Sequence, residues 1–404
     1  MSEFPFGALS EIAKGRRGVS YKPEDLVLST EQQYCRLLTA GNIQDGNTTT
    51  NSYTKVSSRC VSHEQLISPD NILVCMSNGS KRLVGKSSRL RSSDSRQYCV
   101  GAFCSTFAPA RDADPEFVFQ IFQSETFKKQ VSDALEGSAI NNLKNSTIES
   151  FEIPIPPLPE QKKIAEILSG IDSNIQSHST RLRVFQNIQN ALFSEMPRKE
   201  EATKGALLGD IISAINSGWS PVCPPKARVG EEPAILKTTA ITWEGYRPEE
   251  NKALPPELAS KDEAVVKSGD ILCTRKGPRD RVGVVCYVSE TPPNLMVPDT
   301  AFRIRTLEGI DPHYISLVLG SKEVQEEWNR KKVGLAEAQV NINHGILKET
   351  FVPFPSREKQ LWLVNVITST RERIKQENSK LRALQVLKSA ISSDLLSGRK
   401  RVSI

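Results

Sequence analysis

The sequence contains no run of about 18 apolar residues, the minimum that a membrane-spanning helix needs. Its first residues, from Met1 to Gly15, also lack the apolar core of a signal peptide. Apolar residues make up 38% and charged residues 25% of the 404 residues, an ordinary balance for a globular protein. We therefore expect a cytoplasmic protein that is long enough to form more than one domain.

Metal-ligating residues are scarce and badly spaced. The sequence has only four histidines, and its eight cysteines form no C-x-x-C pair. Several cysteines lie inside strand-like apolar runs, such as Ile72 to Cys75 and Gly283 to Tyr287. We predict buried, reduced thiols and no structural zinc site. The net charge of +6 indicates only a weak preference for an anionic partner.

The motifs of several enzyme classes are missing as well. An amino-methyltransferase would need Asn, Asp or Ser before Pro-Pro and an aromatic residue, together with a glycine-rich loop for S-adenosylmethionine, and neither is present. A PD-(D/E)xK nuclease would need an acidic residue two positions before a lysine, but none follows Pro69-Asp70 or Pro298-Asp299 closely. The sequence also lacks a P-loop and a nucleophile constellation. We predict a protein without catalytic residues or cofactors of its own.

One segment occurs twice, and the rest of the chain is organised around it. The residues from Ile153 to Leu168 return as Val352 to Ile367, a shift of 199 residues, and each copy opens a long stretch with helical periodicity. Other stretches align under the same shift: Leu9 to Ile12 with Leu208 to Ile211, Asn71 to Leu73 with Asp270 to Leu272, and Ala102-Phe103 with Ala301-Phe302. A repeat of this size predicts two similar domains rather than a solenoid.

Hydrophobic patterns and turn residues predict the same plan of strands and helices in both domains. The first predicted element of the first domain is short, runs from Leu9 to Lys14 and ends in a turn at Gly15 to Gly18. The residues Tyr34 to Ile43 predict a strand that runs into a Gly-Asn turn, and Ser68 to Met76 predict a Pro-Asp-Asn turn followed by a buried strand. A helix is predicted from Asp114 to about Glu136, capped by Gly137. In the second domain the predicted elements include a strand at Ala234 to Ile241 and a helix at Asp311 to Trp328. Both domains are therefore expected to be α+β.

A loop rich in cations follows the central strand of each domain. In the first domain it runs from Ser77 to Arg91, contains many serines and glycines, and has no acidic residue. Its cations are Lys81, Arg82, Lys86, Arg89 and Arg91, and the matching loop of the second domain carries Arg275, Lys276, Arg279 and Arg281. Such loops suit a phosphate-lined surface, because cations neutralise phosphates and small residues let the backbone approach. A solvated surface loop is the alternative interpretation.

The segments after the repeated motif predict the two longest helices of the chain. From Glu160 to about Met196, and again from Lys359 to Leu396, the apolar residues keep near-heptad spacing. Such a helix is about 55 Å long, so we expect the two helices to pair antiparallel with one domain at each end. The alternative is two amphipathic helices that pack on their own domains. Near the midpoint, His178 and Glu377 either form a polar pair or are solvated.

With these features the chain resembles the specificity subunits of type I restriction-modification systems. The resemblance covers essentially the whole chain and rests on the duplicated I-P-I-P-P-L-x-E-Q segment at Ile153 to Gln161, the D-I-L strand with its basic loop, and the G-A-F-C run at Gly101 to Cys104. It implies an α+β fold with two similar target recognition domains, at residues 1–155 and 201–354. Two long antiparallel, coiled-coil-like helices, at 156–200 and 355–404, would join and space them.

The resemblance also implies a function without catalysis. Each recognition domain would read one half of a split site in double-stranded DNA, while the paired helices set the spacing and dock two modification (methyltransferase) subunits. Partner subunits would bind S-adenosylmethionine and flip one adenine in each half-site. Restriction/translocase subunits, with ATP and Mg²⁺, would complete the full complex. A paired-helix scaffold that never touches DNA is the alternative.

The residues that we expect to contact DNA lie in and around these loops. In the first domain they are Tyr21, Lys22, Asn42, Ser77, Ser80, Lys81, Arg82, Lys86 and Arg89, and in the second domain Lys237, Thr238, Arg275, Lys276, Arg279 and Arg281. The amide-rich segment from Ser138 to Asn145 could pair with adenine in the major groove or bond the backbone of its own turn. The sequence does not decide between these two roles.

Overall fold

The computed structural model describes residues 4–27, 33–44, 46–91, 96–136, 141–201, 204–336 and 339–403. The chain divides into two compact units, Met1–Ser179 with Ser379–Ile404, and Thr180–Asn378. Each unit therefore contains one mixed α/β domain and parts of both long helices. The predicted helix cap Gly137 and the first three residues of the amide-rich segment, 138–140, lie outside the described residues.

The first unit is built on a six-stranded sheet. Its described strands are β1 (Phe6–Ala8), β2 (Ala13–Arg17), β3 (Tyr34–Leu38), β4 (Ile43–Gln44), β5 (Gly46–Thr48), β6 (Thr54–Ser57), β7 (Ile72–Cys75), β8 (Ser87–Arg89), β9 (Tyr98–Val100), β10 (Cys104–Pro109) and β11 (Glu152–Pro154). The main sheet has the order β2-β10-β7-β8-β5-β4, beside a three-stranded sheet β6-β3-β9 and the pair β1-β11. Strand β7 is buried along its whole length, as its apolar run predicts.

Helices of the first unit cover this sheet. They are α1 (Pro115–Gln123), α2 (Glu125–Glu136), α3 (Asn145–Glu149) and the first part of the long helix α4 (Leu158–Ser194). The core contains a series of ring contacts, with centroids 5.2 Å apart for Phe107 and Phe122 and 4.8 Å apart for Phe122 and Phe127. Because Phe107 lies on β10 and the other two rings lie on α1 and α2, these contacts fix the helices on the sheet.

The second unit repeats this plan with a smaller main sheet. Its described strands are β12 (Gly205–Leu207), β13 (Ile212–Ser217), β14 (Ala234–Leu236), β15 (Ile241–Thr242), β16 (Gly245–Tyr246), β17 (Asn251–Ala253), β18 (Ile271–Thr274), β19 (Lys276–Gly277), β20 (Val285–Tyr287), β21 (Leu295–Met296), β22 (Ala301–Thr306), β23 (Val333–Ala336), β24 (Gln339–Asn341) and β25 (Phe351–Pro353). The helices are α5 (Pro312–Leu319), α6 (Lys322–Lys331), α7 (His344–Lys348) and the first part of α8 (Arg357–Leu396). The main sheet is β13-β22-β18-β20, and the three-stranded sheet β17-β14-β21 corresponds to β6-β3-β9.

The helices after the main sheets begin alike but are shorter than predicted. The carboxylates of Asp114 and Asp311 cap α1 and α5 by accepting backbone N–H groups, and a proline occupies the first helical position in both. The single helix predicted from Asp114 to Glu136 is wrong, because the chain is extended at Ser124. The Ser124 hydroxyl then accepts the Phe127 N–H and starts α2. In the second unit, Gly320 likewise ends α5 before α6 begins.

Three further sequence predictions need correction. The predicted turn at Gly15 to Gly18 is strand β2 up to Arg17, and Gly15 faces Phe107, whose ring leaves no room for a Cβ. The predicted strand Ala234 to Ile241 stops at Leu236 and gives way to a 3₁₀ turn. The alignment of Ala102-Phe103 with Ala301-Phe302 is wrong by two residues, because the strand pairings place Ser105 opposite Val74 and Phe302 opposite Cys273.

The long helices begin two residues earlier than predicted, at Leu158 and Arg357. Pro159 is tolerated there, since the first turn of a helix has no intrahelical N–H bond to lose. Within the first unit the two helices run antiparallel: Asp172 on α4 pairs with Lys388 on α8 at 2.6 Å, while Glu160 near the start of α4 pairs with Arg401 beyond the end of α8. The predicted antiparallel packing is therefore confirmed.

The second unit shows the same antiparallel packing with the opposite helix ends. Its core brings together apolar residues from the end of α4 and the start of α8, namely Leu192, Leu363 and Ile367, with Met196 just after α4. The Arg371 guanidinium lies 5.6 Å from the centroid of the Phe193 ring. Each domain is consequently covered by one end of each long helix.

A repeated glutamine connects each long helix to the segment before it. The Gln161 side chain donates to the Pro156 carbonyl, and the Gln360 side chain donates to the Pro355 carbonyl, both at 2.9 Å. Gln161 also accepts the backbone N–H of Asp114 at 2.9 Å, which ties the start of α4 to the cap of α1. Both glutamines are buried, so the duplicated E-Q and K-Q positions have a structural role.

All eight cysteines are free thiols, and six of them are buried, as predicted. Burial raises the pKa of Cys104 and of Cys286 to about 12, so these thiols stay protonated and unreactive at neutral pH. In the described part of the chain, no helix is long and apolar enough to cross a membrane.

Candidate nucleic-acid interface

The basic loop of the first unit connects β7 to β8. Backbone hydrogen bonds from Gly85 N–H to Cys75 O, at 2.8 Å, and from Cys75 N–H to Lys86 O, at 2.9 Å, close the loop. Gly85 has φ of +82°, and a Cβ there would collide with Val131 of α2. The loop tip forms a 3₁₀ turn at Lys81–Leu83. The loop therefore has a defined conformation, which holds its cations on and beside one turn.

Three cations of this loop are available for a ligand. Lys81 and Arg82 are exposed and Lys86 is half-buried. Within the described residues, none of the three side chains forms a hydrogen bond or an ion pair. They border a groove of about 650 Å³ between the loop and α2, whose floor includes Val84, Phe122, Val131 and Leu135. An unneutralised cationic rim of this kind attracts phosphates.

A second cleft joins the loop to the turn after β3. Its volume is about 330 Å³, and its lining residues are Ala40, Gly41, Gln44, Asn78, Leu83 and Lys86. The 3₁₀ turn Ala40–Asn42 thus lies beside the basic loop.

Two predicted contact residues of the first unit are engaged inside the domain. Arg89 lies in β8 with its side chain 11% exposed, and it pairs with Glu116 at 2.8 Å and with Asp70 at 3.0 Å. Asn42 is 4% exposed, and its amide donates to the carbonyls of Thr49 and Ser52. Since these two side chains are already bonded inside the domain, they contribute to its fold, although the buried Nε of Arg89 has no hydrogen-bond partner.

The remaining predicted residues of the first unit lie in turns. Ser77 forms a bridge with Asn142, and Ser80 is exposed at the start of the loop tip. Tyr21 is 41% exposed, and Lys22 lies 3.7 Å from Glu24, its near neighbour in the sequence. In the amide-rich segment, the Asn141 side chain donates to the carbonyl of Gly79 in the basic loop at 3.2 Å. This bond joins two segments that are distant in sequence, so it is not the predicted bond to the backbone of the same turn, and the major-groove role stays a prediction.

The basic loop of the second unit is more engaged with its own domain. Lys276 forms an ion pair with Asp299, and Arg281 donates to the carbonyls of Thr238 and Ile241 at 3.3 and 3.4 Å. Burial alone would raise the pKa of Asp299, but hydrogen bonds from Lys276 and Ser220 outweigh it and lower the pKa. The Lys276 charge is therefore partly neutralised.

The other predicted cations of the second unit also have partners. Arg279 donates to the carbonyl of Asn329 at 3.4 Å, and the Arg275 guanidinium lies 5.3 Å from the centroid of the Phe302 ring. Lys237 pairs with Glu250 at 3.4 Å. The Thr238 hydroxyl is 2.8 Å from that of Thr300. The structure thus brings Thr238 and the basic loop together through Arg281.

A cluster of cations and tyrosines at the sheet β6-β3-β9 is absent from the residues predicted from the sequence. The Arg36 guanidinium lies 5.3 Å from the centroid of the Tyr34 ring, 5.0 Å from that of Tyr53 and 5.8 Å from that of Tyr98. The Lys55 ammonium lies 5.0 Å from the Tyr34 centroid. A hydrogen bond from Arg36 lowers the pKa of Tyr53. We name these five residues the arginine–tyrosine cluster.

The sequence signal for this cluster is the alternation of polar and apolar residues along β3. Cys35 and Leu37 are buried, whereas Tyr34 and Arg36 between them are half-buried. The strand register, which the sequence does not provide, places Arg36 opposite Lys55 on one side and Tyr98 on the other. The alternation alone predicts a polar face, but only the pairing shows that its members meet.

Comparisons with known proteins give a consistent result. A family model described as "Type I restriction modification DNA specificity domain" matches residues 61–184. The chain is 27% identical over 366 residues to the type I restriction enzyme EcoKI specificity subunit of Escherichia coli K12, covering 86% of this chain and 78% of that protein. It is 36% identical over 180 residues to the EcoEI specificity subunit of Escherichia coli, but there it spans only 30% of the relative and 44% of itself.

The fold also has a counterpart among solved structures. The S subunit of the type I restriction-modification system from M. genitalium matches with a TM-score of 0.63, covering 97% of this chain and 96% of that chain. At 14% sequence identity this likeness is evidence for the fold alone. It confirms the predicted fold class, in which two similar mixed α/β domains are connected by two long helices.

Proposed function

This chain belongs to the specificity subunits of type I restriction-modification systems, which recognise DNA sequence, and we propose that each of its two domains reads one half of a bipartite site in double-stranded DNA. The observation that carries the proposal is the duplication of a complete domain, including its central strand and basic loop. β7 and β18 correspond, and each is followed by a cationic 3₁₀ turn, at Lys81–Leu83 and at Arg279–Arg281. Two similar reading domains in one chain fit a site with two halves.

The basic loops would hold the DNA backbone. In the first unit, Lys81, Arg82 and Lys86 carry charge that no described carboxylate neutralises, which favours contact with phosphates. In the second unit, Lys276 would have to exchange Asp299 for a phosphate, so its contribution would be smaller. We retain Arg275 and Arg279 as contacts of that loop, with Thr238 and Lys237 beside it.

Specificity subunits assemble into type I restriction-modification complexes, and we propose that this chain binds two modification subunits through its long helices. Both helices carry exposed apolar side chains that a partner subunit would cover. They are Val184 and Ile188 on α4, and Leu361, Trp362, Val386 and Leu387 on α8. Restriction/translocase subunits would join in the full complex. S-adenosylmethionine, ATP and Mg²⁺ would then be bound by these partners.

We further propose that the helices act as the spacer between the recognition domains. The recognition domains would be residues 1–155 and 201–354, with the helical segments 156–200 and 355–404 between and after them. Because each domain is packed against the ends of both helices, a helix of fixed length can set a fixed distance between the half-sites.

The test is to map methylated adenines in cells that express this chain together with a cognate modification subunit. We expect methylation at a split motif, with two short defined sequences separated by a fixed number of unspecified base pairs. A continuous motif would overturn the two-domain assignment. An assembled complex that methylates nothing and does not bind duplex DNA at low salt would instead favour the scaffold interpretation.

A further inference from the structure

The arginine–tyrosine cluster has the properties of a binding site rather than of a structural contact. Among the residues that the structure describes, neither Arg36 nor Lys55 pairs with a carboxylate. The terminal nitrogens of Arg36 donate to the Tyr34 hydroxyl at 3.3 Å and to the Tyr53 hydroxyl. The Nε atom of Arg36 is buried without a hydrogen-bond partner. A guanidinium has five donors, so most of its capacity is unused.

The corresponding place in the second unit shows what an ordinary surface of this sheet looks like. Strand pairing places Ile235 between Lys252 and Met296, as it places Arg36 between Lys55 and Tyr98. Ile235 and Met296 are buried. They pack in a small apolar core whose other members include Leu254, Leu258 and Trp219. The same face is thus sealed by apolar packing in one unit, whereas in the other it holds an arginine and tyrosines.

We propose that Arg36 reads a guanine in the half-site that the first domain recognises. This inference rests on the proposed function and names one reading residue for it. Arginine donates two parallel hydrogen bonds to O6 and N7 of guanine, the commonest specific contact in the major groove. Three aromatic rings around Arg36 restrict its guanidinium, so little side-chain entropy remains to be lost on binding.

The position of the cluster agrees with this role. Arg36 precedes the turn Ala40–Asn42 by four residues, a distance of at most about 14 Å along the chain. That turn lines the cleft that also contains Lys86 of the basic loop. A duplex held by the phosphate contacts of the loop would therefore have its bases within reach of β3. Lys55, whose ammonium group also lies near the Tyr34 ring, would add positive charge near the same DNA strand.

The experiment compares the methylated motif of the wild-type complex with that of Arg36→Lys and Arg36→Ala complexes. We expect both variants to lose preference at a single G·C pair in one half-site by about 10- to 100-fold. Lysine keeps the positive charge but cannot donate the two parallel hydrogen bonds of a guanidinium, and alanine removes both the charge and the donors. The other half-site should be unchanged, which also shows that the complex is assembled. Lys252→Ala, at the position that corresponds to Lys55, is the matched control and should leave the motif intact.

A second measurement needs no variant. Replacing each guanine of the site in turn by 7-deazaguanine removes the N7 acceptor, and one such replacement should weaken binding of the wild-type complex about 10-fold. If Arg36→Lys leaves the motif unchanged, or if no replacement affects wild-type binding, the inference is wrong. A wild-type complex without any bipartite motif would overturn the proposed function itself, so the two failures are distinguishable.

Discussion

At the scale of single residues, the difference between paired and unpaired cations decides which loop holds DNA more strongly. Lys81, Arg82 and Lys86 have no partners among the described residues, whereas Lys276 is paired with Asp299. A phosphate must compete with an existing carboxylate in the second loop but not in the first. Net charge alone would have ranked the two loops as similar.

Changing Lys81, Arg82 and Lys86 together to alanine should weaken DNA binding by at least about 10-fold at physiological salt. The slope of log K against log salt should fall by up to about three, since each phosphate contact contributes about 0.9. Fluorescence anisotropy with a duplex at several salt concentrations measures both quantities. The triple change Arg275, Lys276 and Arg279 to alanine is the comparison, and we expect it to have the smaller effect. Unchanged affinity after the first change would contradict the assignment.

Another residue-scale prediction concerns the ion pair between Glu160 and Arg401. A hydrogen bond from Arg401 lowers the pKa of Glu160, whose side chain is 1% exposed. A lowered folded pKa means that the pair stabilises the protein above the unfolded value of about 4.3, and that this stabilisation is lost as pH falls through the folded pKa.

We therefore expect Glu160→Gln to lower the free energy of unfolding by about 2 kcal/mol at pH 7. The difference from wild type should shrink as the pH falls below about 4. Urea unfolding at several pH values provides the measurement. Glu166→Gln is the control on the same helix, because Glu166 is exposed and its pair with Lys163 should contribute under about 1 kcal/mol. A pH-independent difference for Glu160→Gln would show that the charge is not the cause.

At the scale of elements, the repeated glutamines show how one position can be duplicated in the sequence and still differ in its energetic role. Gln161 bonds both the Pro156 carbonyl and the Asp114 N–H, whereas Gln360 bonds the Pro355 carbonyl. The first glutamine thus connects α4 to the cap of another helix. The second keeps only the contact at the start of its own helix.

Gln161→Ala should consequently destabilise the protein more than Gln360→Ala. Removing Gln161 leaves the buried Pro156 carbonyl and the half-buried Asp114 N–H without this partner, and an unsatisfied buried group costs about 1–3 kcal/mol. Removing Gln360 leaves only the Pro355 carbonyl without its partner. Thermal unfolding and hydrogen exchange of the α1 backbone amides would test the difference, and only Gln161→Ala should accelerate exchange at α1. Equal effects of the two substitutions would mean that the bond to Asp114 contributes nothing.

The sequence predicts elements well where a pattern is local and long. The heptad spacing gives both long helices to within a few residues, and the continuous apolar run gives β7. Prediction fails where contacts distant in sequence decide the outcome. Gly15 lies in strand β2 opposite Phe107, whose ring leaves no room for a Cβ at this position. The Arg89 side chain is held inside the domain because Asp70 and Glu116 lie beside it.

At the scale of the whole molecule, the repeat predicts two domains and two antiparallel helices without any structural information. The arginine–tyrosine cluster could not be predicted in the same way. Its members lie on β3, β6 and β9 and, for Tyr53, directly before β6, and their meeting depends on a register that the repeat does not reveal. The second copy carries Ile235 in place of Arg36, so the repeat itself gives no indication of a site. The pairing of His178 with Glu377 stays a prediction.

Shortening both long helices should change the distance between the half-sites. Deleting seven residues from each, Ser173 to Ser179 and Glu372 to Asn378, removes two turns and about 10 Å while restoring the apolar face. With about 3.4 Å per base pair, the methylated motif should lose up to about three unspecified pairs. Mapping methylated adenines with the shortened chain gives the answer. The same spacing in a complex that still methylates would refute the spacer role.

Two separate segments of the chain form the first unit, and this affects how the protein folds during its synthesis. This unit needs residues Ser379–Ile404, which are translated about two hundred residues after Ser179. At about 5–20 residues per second, the ribosome takes roughly 10–40 s over that interval. The apolar surface that Leu395 and Leu396 will cover, beside Ile164 and Leu168, is open to water meanwhile. The domain made first is therefore the last to be finished, and during this interval it is the part of the nascent chain that a chaperone would bind.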